Sequence, residues 1–267
     1  MVYGSASRGF KSGGYNIRAN TTAVPRSGEP FNDESVDSFE IGTKMGLLDQ
    51  RLFLNLAAFH NVYEDIQLSV FTALPGGGFF GDFTNAGKGT VEGFELEYQW
   101  LPSANWVISG NLAWLDARYD EFLYFDTNPA VRQTVDIADE QEFTNAPDFS
   151  GAINVEWRTD LGNAGSLSAR VGYAYQTEVT ATTEILRANR PPVAPFGQPP
   201  ITQDGYGLVN AGVTWKFDDH WTLALHGTNL ADKEYRTTGY NLNQALGVYT
   251  GFYGPPRQYS LQVKYDF

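Results

Sequence analysis

Residues 259–267 alternate strictly between two kinds of side chain, and this alternation limits the folds open to the chain. The odd positions are apolar or aromatic, whereas the even positions from Ser260 to Asp266 are polar. Successive side chains of a strand point to opposite faces, so the segment is predicted to be a strand whose faces meet different solvents. An apolar face that carries tyrosines, opposite a polar face, is typical of a strand with lipid outside and water inside. The apolar set is Tyr259, Leu261, Val263, Tyr265 and Phe267.

The composition favours a β-rich protein and excludes several other classes. The 267 residues, with 28 Gly, 18 Phe, 15 Tyr and 6 Trp, suffice for one large all-β unit or two small domains. There is no cysteine, which excludes disulfides, thiol chemistry and zinc sites built on cysteine. The net charge of −13 argues against nucleic acid as a partner, because phosphate binding requires a basic face. No apolar run reaches the roughly 20 residues of a transmembrane helix, but barrel strands need no such run.

Ten segments with a period of two lie along the chain, and the connections between them alternate in length. Those at 47–50, 102–103, 160–163 and 218–220 are short, and those at 11–34, 68–87, 121–148, 180–205 and 237–252 are long. Hairpins with tight turns at one end and extended loops at the other are typical of outer-membrane barrels. We therefore predict an all-β fold, an antiparallel transmembrane β-barrel portion of about ten strands. The segments lie near 1–10, 35–47, 51–67, 88–101, 104–120, 149–159, 164–179, 206–217, 221–236 and 253–267.

Five stretches, in order along the chain, resemble the barrel of TonB-dependent outer-membrane receptors. Together they span nearly the whole sequence. They are SRGFKSGGYN at 7–16; SFEIGTK at 38–44 with 54–59 and YEDIQ at 63–67; NAGK at 85–88 with 91–97; TNLADKEY at 228–235; and GPPR at 254–257, which leads into the terminal strand.

The resemblance implies a fold that is larger than this chain. Receptors of this family have an N-terminal plug domain inside a barrel of about 22 strands. Residues 1–267 would be the C-terminal part of that barrel, an open sheet without the plug domain and without a signal peptide. The first residues carry no secretory signal, so we expect any export signal to lie outside this sequence.

The resemblance also implies a function, the energy-coupled uptake of a large scarce nutrient, most often a ferric siderophore. Family receptors lie in outer-membrane lipid and contact the TonB complex through the plug. The barrel assembly machinery recognises their C-terminal aromatic strand. The predicted assembly signal here is therefore the set Tyr259, Leu261, Val263, Tyr265 and Phe267.

The long loops at 11–34, 121–148 and 180–205 are predicted to bind the nutrient, because only they have the reach to cover a wide lumen. The 121–148 loop is acidic, which disfavours an anionic chelate there. Candidate contacts for an iron chelate are therefore Arg8, Lys11 and Arg18 near the first loop.

Two other classes of protein stay open at this point. One is a self-contained ten-stranded barrel that acts as a pore or a protease, and the other is a soluble β-protein that binds carbohydrate through its aromatic residues. Aromatic bands at both ends of the strands would favour a membrane protein, whereas aromatics on one concave face would favour sugar binding. No catalytic motif is present, and His60, His220 and His226 are scattered, so no enzyme activity, metal site or cofactor is predicted.

Overall fold

The computed structural model describes residues 1–22, 25–73, 79–125, 133–181, 202–217, 220–242 and 248–267. These residues form mostly strands, with short 3-10 helices at Pro25–Gly28, Ala138–Glu140 and Gly162–Ala164. None of the described helices has the length and apolar character needed to cross a membrane. The strands are β1 (Val2–Lys11), β2 (Gly14–Tyr15), β3 (Pro30–Phe31), β4 (Glu34–Leu47), β5 (Leu52–Ala73), β6 (Phe79–Ser103), β7 (Trp106–Phe125), β8 (Thr134–Asp136), β9 (Phe149–Asp160), β10 (Ser166–Gln176), β11 (Val179–Thr180), β12 (Thr202–Gln203), β13 (Tyr206–Lys216), β14 (Trp221–Thr228), β15 (Arg236–Leu242), β16 (Val248–Tyr253) and β17 (Gln258–Tyr265).

One antiparallel sheet runs through the molecule in the order β1-β4-β5-β6-β7-β9-β10-β13-β14-β17, and β8 pairs with β7 beside this path. The predicted antiparallel fold of about ten strands is therefore confirmed. The pairs β2–β3, β11–β12 and β15–β16 are small separate hairpins within the long connections. Among the described residues β1 pairs only with β4 and β17 only with β14, so the sheet is open. The alternative of a closed, self-contained ten-stranded barrel is therefore wrong.

The two faces of the sheet carry different side chains. The register places Phe94 of β6 beside Trp114 of β7 on one face, and the adjacent pair Glu95 and Ala113 on the other. Phe94 is 61% exposed and Ile41 of β4, on the same face, is 62% exposed. We call this the outward face and the opposite one the lumen face. Large exposed apolar side chains across a whole sheet face indicate contact with lipid.

Aromatic side chains on the outward face lie in two rows, one at each end of the strands. On β7 the rows are eight residues apart, from Trp106 to Trp114. That spacing corresponds to about 20 Å across a bilayer for a tilted strand, close to the apolar band of a transmembrane barrel. Two rows argue against a soluble sugar-binding protein. The row near the short turns contains Trp100, Trp106, Trp157, Trp215, Trp221 and Tyr265, and the row near the long loops contains Phe39, Phe94, Trp114, Phe149, Tyr175 and Tyr259.

The hairpin of β5 and β6 extends further than the sequence pattern indicates. The predicted long loop at 68–87 is wrong for most of its length, because β5 continues to Ala73 and β6 begins at Phe79. Residues 68–73 pair with 79–84 in an unbroken register, and their valine, threonine and phenylalanine favour paired strands. Glycines near the tip hide this extension in the sequence, since glycine is the usual signal of a loop.

The last two strands of the sheet are shorter than predicted. β14 ends at Thr228 and not near 236, because Asn229 has a φ of 47° in the left-handed region, which no strand uses. β17 begins at Gln258 and not near 253, because Pro255 and Pro256 have no N–H for the ladder. The predicted loop at 237–252 contains most of the β15–β16 hairpin.

A small hydrophobic core lies beyond the aromatic row near the long loops. Phe122 is fully buried, and the ring of Tyr119 stacks on that of Phe143 with 4.2 Å between centroids. The carboxylate of Asp136 accepts hydrogen bonds from the N–H groups of Phe122 and Ala138 at 2.9 and 3.1 Å. Part of the predicted 121–148 loop is therefore packed structure that rests on the β5–β6–β7 extension.

Candidate functional site

The lumen face is polar along several neighbouring strands. The Tyr3 hydroxyl donates to the Glu40 carboxylate at 2.7 Å, and the Asn55 amide donates to Glu97 at 3.3 Å. Glu95 lies on the same face as Glu97, two positions along β6. Charged and amide groups on this face, behind an apolar outward face, are what a water-filled passage through a membrane requires.

A concavity of about 390 Å³ lies on the lumen face of β9, β10, β13 and β14. Arg170 donates to the side-chain oxygen of Asn154 at 2.9 Å, and Arg158 lies 2.6 Å from the carboxylate of Glu156. His226 lines the same concavity and lies on the lumen face. The wall thus offers cationic, anionic and amide groups to a polar molecule in the lumen.

Both ends of the first loop, residues 11–34, meet at Gln67 of β5. Gln67 is 6% exposed, and its side-chain Nε2 donates to the backbone carbonyls of Lys11, Ser12 and Asn32 at 3.2, 3.0 and 3.0 Å. Lys11 ends β1, and Ser12 and Asn32 lie just outside the sheet. One buried side chain therefore bonds to the departing and the returning segment of the loop.

Lys11 places a half-exposed cation at this point. Its Nζ lies 3.8 Å from Glu34 Oε2 and 5.8 Å from the centre of the Phe83 ring. Glu34 Oε2 also accepts the backbone N–H of Gln67 at 2.7 Å. The ammonium group is thus paired with a carboxylate that is itself fixed, and more than half of the lysine side chain stays open to an anion.

Asn85 of β6 forms further hydrogen bonds with the returning end of the first loop. Its Nδ2 donates to the carbonyls of Asn32 and Asp65 at 3.0 and 2.7 Å, and its Oδ1 accepts the Asn32 N–H at 2.5 Å. The stretches at 63–67 and 85–88 that carry the family resemblance therefore both bind the base of this loop. The sequence alone assigns no role to Gln67 or Asn85, because their partners are backbone groups that a sequence pattern does not reveal.

The stretches at 228–235 and 254–257 also bind one another. Asn229 is 4% exposed, its Nδ2 donates to the carbonyls of Lys233 and Pro255, and its Oδ1 accepts the Lys233 N–H. Asp232 accepts the N–H of Arg257 at 3.1 Å and lies 3.4 Å from its guanidinium group. These contacts join the turn after β14 to the residues that begin β17.

The acidic third loop contacts the fourth. Thr180 Oγ1 donates to Glu142 at 2.6 Å, and Thr180 is almost fully buried. Partial desolvation, together with a hydrogen bond to Asp204 and the negative charges of Asp204 and Glu142, raises the pKa of Glu178 above its ordinary value. Three carboxylates from two loops thus lie close together at the mouth, which disfavours an anionic ligand on this side.

The structure separates the three basic residues that sequence analysis named as ligand contacts. Lys11 and Arg18 lie in or beside the first loop, and Arg18 is exposed. Arg8 lies on the outward face of β1 and pairs with Asp37 at 3.5 Å, whereas Lys11 lies on the lumen face. Contact with a ligand stays a prediction for all three, and the orientation of Arg8 does not favour it. Tyr15 and Ile17, which sequence analysis did not name, are strongly exposed in the same loop.

The predicted assembly strand has the predicted geometry along β17. Tyr259, Leu261, Val263 and Tyr265 pair with outward positions of β14 and share one exposed face. Phe267 lies beyond the strand, with its ring 5.0 Å from that of Tyr265. Recognition of this face by an assembly factor stays a prediction.

The other two histidines have separate partners. His60 lies 2.7 Å from Glu92 on the outward face, and His220 Nδ1 lies 2.8 Å from the Asp266 carbonyl oxygen. Among the described residues no group of histidine and acidic side chains has the arrangement of a metal site.

An open antiparallel sheet with lipid-facing aromatic rows and a polar lumen face is a segment of a transmembrane β-barrel. The family model described as "TonB dependent receptor-like, beta-barrel" matches residues 1–230. The chain therefore belongs to the TonB-dependent receptor β-barrel family. Barrels of this family lie in the outer membrane and are not enzymes, so the chain is part of an outer-membrane barrel and not an enzyme.

Curated relatives cover nearly all of this chain. It is 26% identical over 267 residues to the pesticin receptor of Yersinia enterocolitica, an alignment covering 93% of this chain and 33% of that receptor. It is 25% identical over 242 residues to the metal-pseudopaline receptor CntO of Pseudomonas aeruginosa, covering 90% and 28%. The chain thus spans about a third of the length of the curated relatives it matches.

A solved structure has the same fold. The ferric yersiniabactin uptake receptor FyuA from Yersinia pestis matches with a TM-score of 0.69 and 22% identity, over 100% of this chain and 35% of that one. At this level of identity the likeness establishes the fold alone.

Proposed function

We propose that this chain is the C-terminal barrel part of an outer-membrane receptor that takes up a ferric siderophore or a similar large chelate. The observation that carries the proposal is the polar lumen face behind a lipid-facing apolar face, in a member of this family. The names of relatives support the ligand class, since CntO is a metal-pseudopaline receptor and FyuA a ferric yersiniabactin uptake receptor.

The open sheet is the reason to propose that the receptor has further parts. β1 and β17 each have one unpaired edge among the described residues, and such edges require further strands to be stable in a membrane. Further barrel strands and a plug domain would complete the receptor. Coupling to the TonB complex would run through that plug, folding would use the barrel assembly machinery, and the outward face would contact outer-membrane lipid.

The ligand would bind at the mouth, on the side of the first loop. Lys11 and Arg18 are the cations there, and the strongly exposed Tyr15 and Ile17 add apolar surface. The carboxylates around Glu178 would repel an anionic chelate from the other side. Attraction of this kind raises the association rate and is weakened by salt.

The test uses the parent receptor in a strain without other iron receptors. Residues 15–29 are replaced by a short glycine–serine linker, and growth and ⁵⁵Fe uptake are measured with an anionic ferric tris-catecholate and a neutral ferric tris-hydroxamate. We expect wild-type uptake of at least the anionic chelate, with loss of that uptake in the loop variant. Cell-surface labelling controls for the amount of receptor.

Two results would contradict the proposal. Normal growth of the loop variant on every iron source would show that the first loop is not needed for ligand binding. Normal iron uptake combined with a loss of cobalamin or oligosaccharide uptake would retain a transporter but show that its ligand is not a siderophore.

A further inference from the structure

The structure assigns to Gln67 the role of positioning residue for the first loop: its buried carboxamide fixes both ends of residues 11–34 and holds Lys11 at the mouth. The inference rests on the proposed function for one step, the contact of Lys11 with an anionic chelate. The anchoring of the loop does not depend on any ligand, because it follows from the hydrogen bonds of Gln67.

The carboxamide of Gln67 suits this site because its nitrogen can donate to both ends of the loop at once. A carboxamide nitrogen has two N–H donors, and here three backbone carbonyls, of Lys11, Ser12 and Asn32, lie within 3.2 Å of it. Since Gln67 is 6% exposed, water has little access to replace these bonds. A side chain of equal size without donors would remove the hydrogen bonds to these carbonyls, which destabilises the closed arrangement of the loop ends.

The backbone of β5 aims the side chain at the loop. The pairing of β5 with β6 shifts register between Tyr63 and Ile66 and again before Gln67. Asp65 in this bulge has a φ of 56°, in the left-handed region, and its carbonyl accepts a hydrogen bond from Asn85. Bulges redirect side chains and are frequent beside functional sites. The YEDIQ stretch at 63–67 thus contains the bulge and ends with Gln67, whose side chain the bulge directs toward the first loop.

Residue 67 contacts Lys11 through its side chain and the counter-charge of Lys11 through its backbone N–H. Its side chain bonds to the Lys11 carbonyl, and its backbone N–H donates to Glu34 Oε2, the oxygen 3.8 Å from the Lys11 ammonium group. The position of the cation is therefore coupled to the same residue that closes the loop ends. Replacement of the Gln67 side chain would remove the bond to the Lys11 carbonyl but keep the N–H bond to Glu34, so Lys11 would be held less firmly and attract an anion more weakly.

A second buried glutamine provides a matched control. Gln203 of β12 is 7% exposed, its Nε2 donates to the Asp204 carbonyl at 2.6 Å, and its Oε1 accepts the Arg236 N–H at 2.8 Å. It has the same side chain and burial, but its contacts lie in the later loops. Gln203→Met therefore removes a buried amide near the mouth while the contacts of the first loop stay intact.

The first experiment requires no ligand and measures the loop in intact cells. Trypsin cleavage after Arg18 is followed by mass spectrometry in the parent receptor and its Gln67→Met and Gln203→Met variants. We expect Gln67→Met to raise the cleavage rate about tenfold, as loss of buried hydrogen bonds predicts, and Gln203→Met to leave it unchanged. Gln67→Asn, which keeps the amide but is too short to reach, should act in the same direction and replaces Gln67→Met if that variant does not reach the membrane.

The second experiment asks whether Gln67 acts through Lys11. Association of the ⁵⁵Fe-labelled anionic ferric tris-catecholate is measured at low and high salt for Lys11→Gln, Gln67→Met and the double variant. We expect each single variant to lose most of the salt dependence and the double variant to be no slower than Lys11→Gln. A purely structural role would instead lower the number of binding sites and leave the salt dependence in place.

The outcomes separate this inference from the proposed function. An unchanged cleavage rate in Gln67→Met and Gln67→Asn would overturn the inference whatever the ligand is. Additive losses in the double variant would show that Gln67 does not act through Lys11. If the wild-type receptor binds neither chelate, the proposed function fails, and the cleavage rates still decide the role of Gln67.

Discussion

Single amide side chains organise the connections of this molecule at the scale of the residue. Asn85 and Asn229, like Gln67, pair with backbone groups that would otherwise be unsatisfied where a strand ends. An amide both donates and accepts, so one such side chain can bond to the two segments of a turn. This explains why such residues recur in the stretches that carry the family resemblance.

Replacement of Asn229 should destabilise the turn between β14 and β17. We expect Asn229→Leu to lower the free energy of unfolding of the parent receptor by about 1–3 kcal/mol, because three hydrogen bonds of a buried amide are lost. The measurement is the urea midpoint of the refolded receptor in detergent, followed by heat-modifiable migration. Lys233→Ala is the control, since Lys233 contributes only backbone groups to the turn and its side chain is exposed. Equal midpoints for the two variants would contradict the prediction.

Protonation of Glu178 should stabilise the contact between the third and fourth loops. Its pKa is raised in the folded state by partial desolvation, by Asp204 and by Glu142, so the folded state binds this proton more tightly than the unfolded state. That contribution is fully present below the unfolded pKa and is lost as pH rises through the raised pKa. We expect hydrogen exchange at the amides of Val179 and Thr180, corrected for intrinsic rates, to slow on acidification.

Glu178→Gln should remove this pH dependence, and Glu29→Gln, an exposed carboxylate of the first loop, should leave it intact. A pH dependence that persists in Glu178→Gln would assign the effect to another group.

At the scale of the element, each strand of the sheet has one face for lipid and one for water. The register of β17 on β14 places Leu261 opposite Leu225 on the outward face, and Gln262 opposite Ala224 on the lumen face. A charge on these two positions therefore meets different solvents, although the positions are adjacent in the sequence.

We expect Leu261→Arg to reduce the folded receptor in the outer membrane far more than Gln262→Arg. An arginine on the lipid face costs about 2–4 kcal/mol near the bilayer midplane, whereas lumen positions tolerate polar residues. The measurement is the heat-modifiable fraction in isolated outer membranes, with total receptor quantified by immunoblot. Equal losses for the two variants would show that β17 does not have its Leu261 face in lipid.

The strands could be predicted because a period of two is a local signal in the sequence. The hydrogen bonds of the loops could not be predicted, because the residues they join are distant along the chain. The alternation around Trp106 and Trp114 alone predicts an outward face, and the structure confirms it. The extension of β5 past Gln67 has no such signal, because its stability comes from pairing with β6 across glycine-rich sequence. Nearness to the first loop along the chain does not indicate which face Arg8 occupies, because that face depends on its position in the β1–β4 register.

At the scale of the whole molecule, the open sheet makes this chain dependent on strands that it does not contain. The unpaired edges of β1 and β17, within the described residues, present backbone N–H and C=O groups that lipid cannot satisfy. The same edges would allow pairing with other copies and aggregation in water. A polar lumen face has a function only when further strands enclose the lumen.

Residues 1–267 produced alone should therefore fail to form a stable barrel, and co-production with the rest of the parent receptor should restore one. We expect the chain alone to sediment as aggregate or to migrate without heat modifiability after refolding in detergent. With the complementary part, the two pieces should form one heat-modifiable complex, because edge strands on both pieces then find partners. The control is a complementary piece that lacks the strand expected to pair with β17, which should leave the complex unclosed. A monodisperse, heat-modifiable species formed by 1–267 alone would show that the two edges of this sheet can close on each other, and the dependence argued here would be wrong.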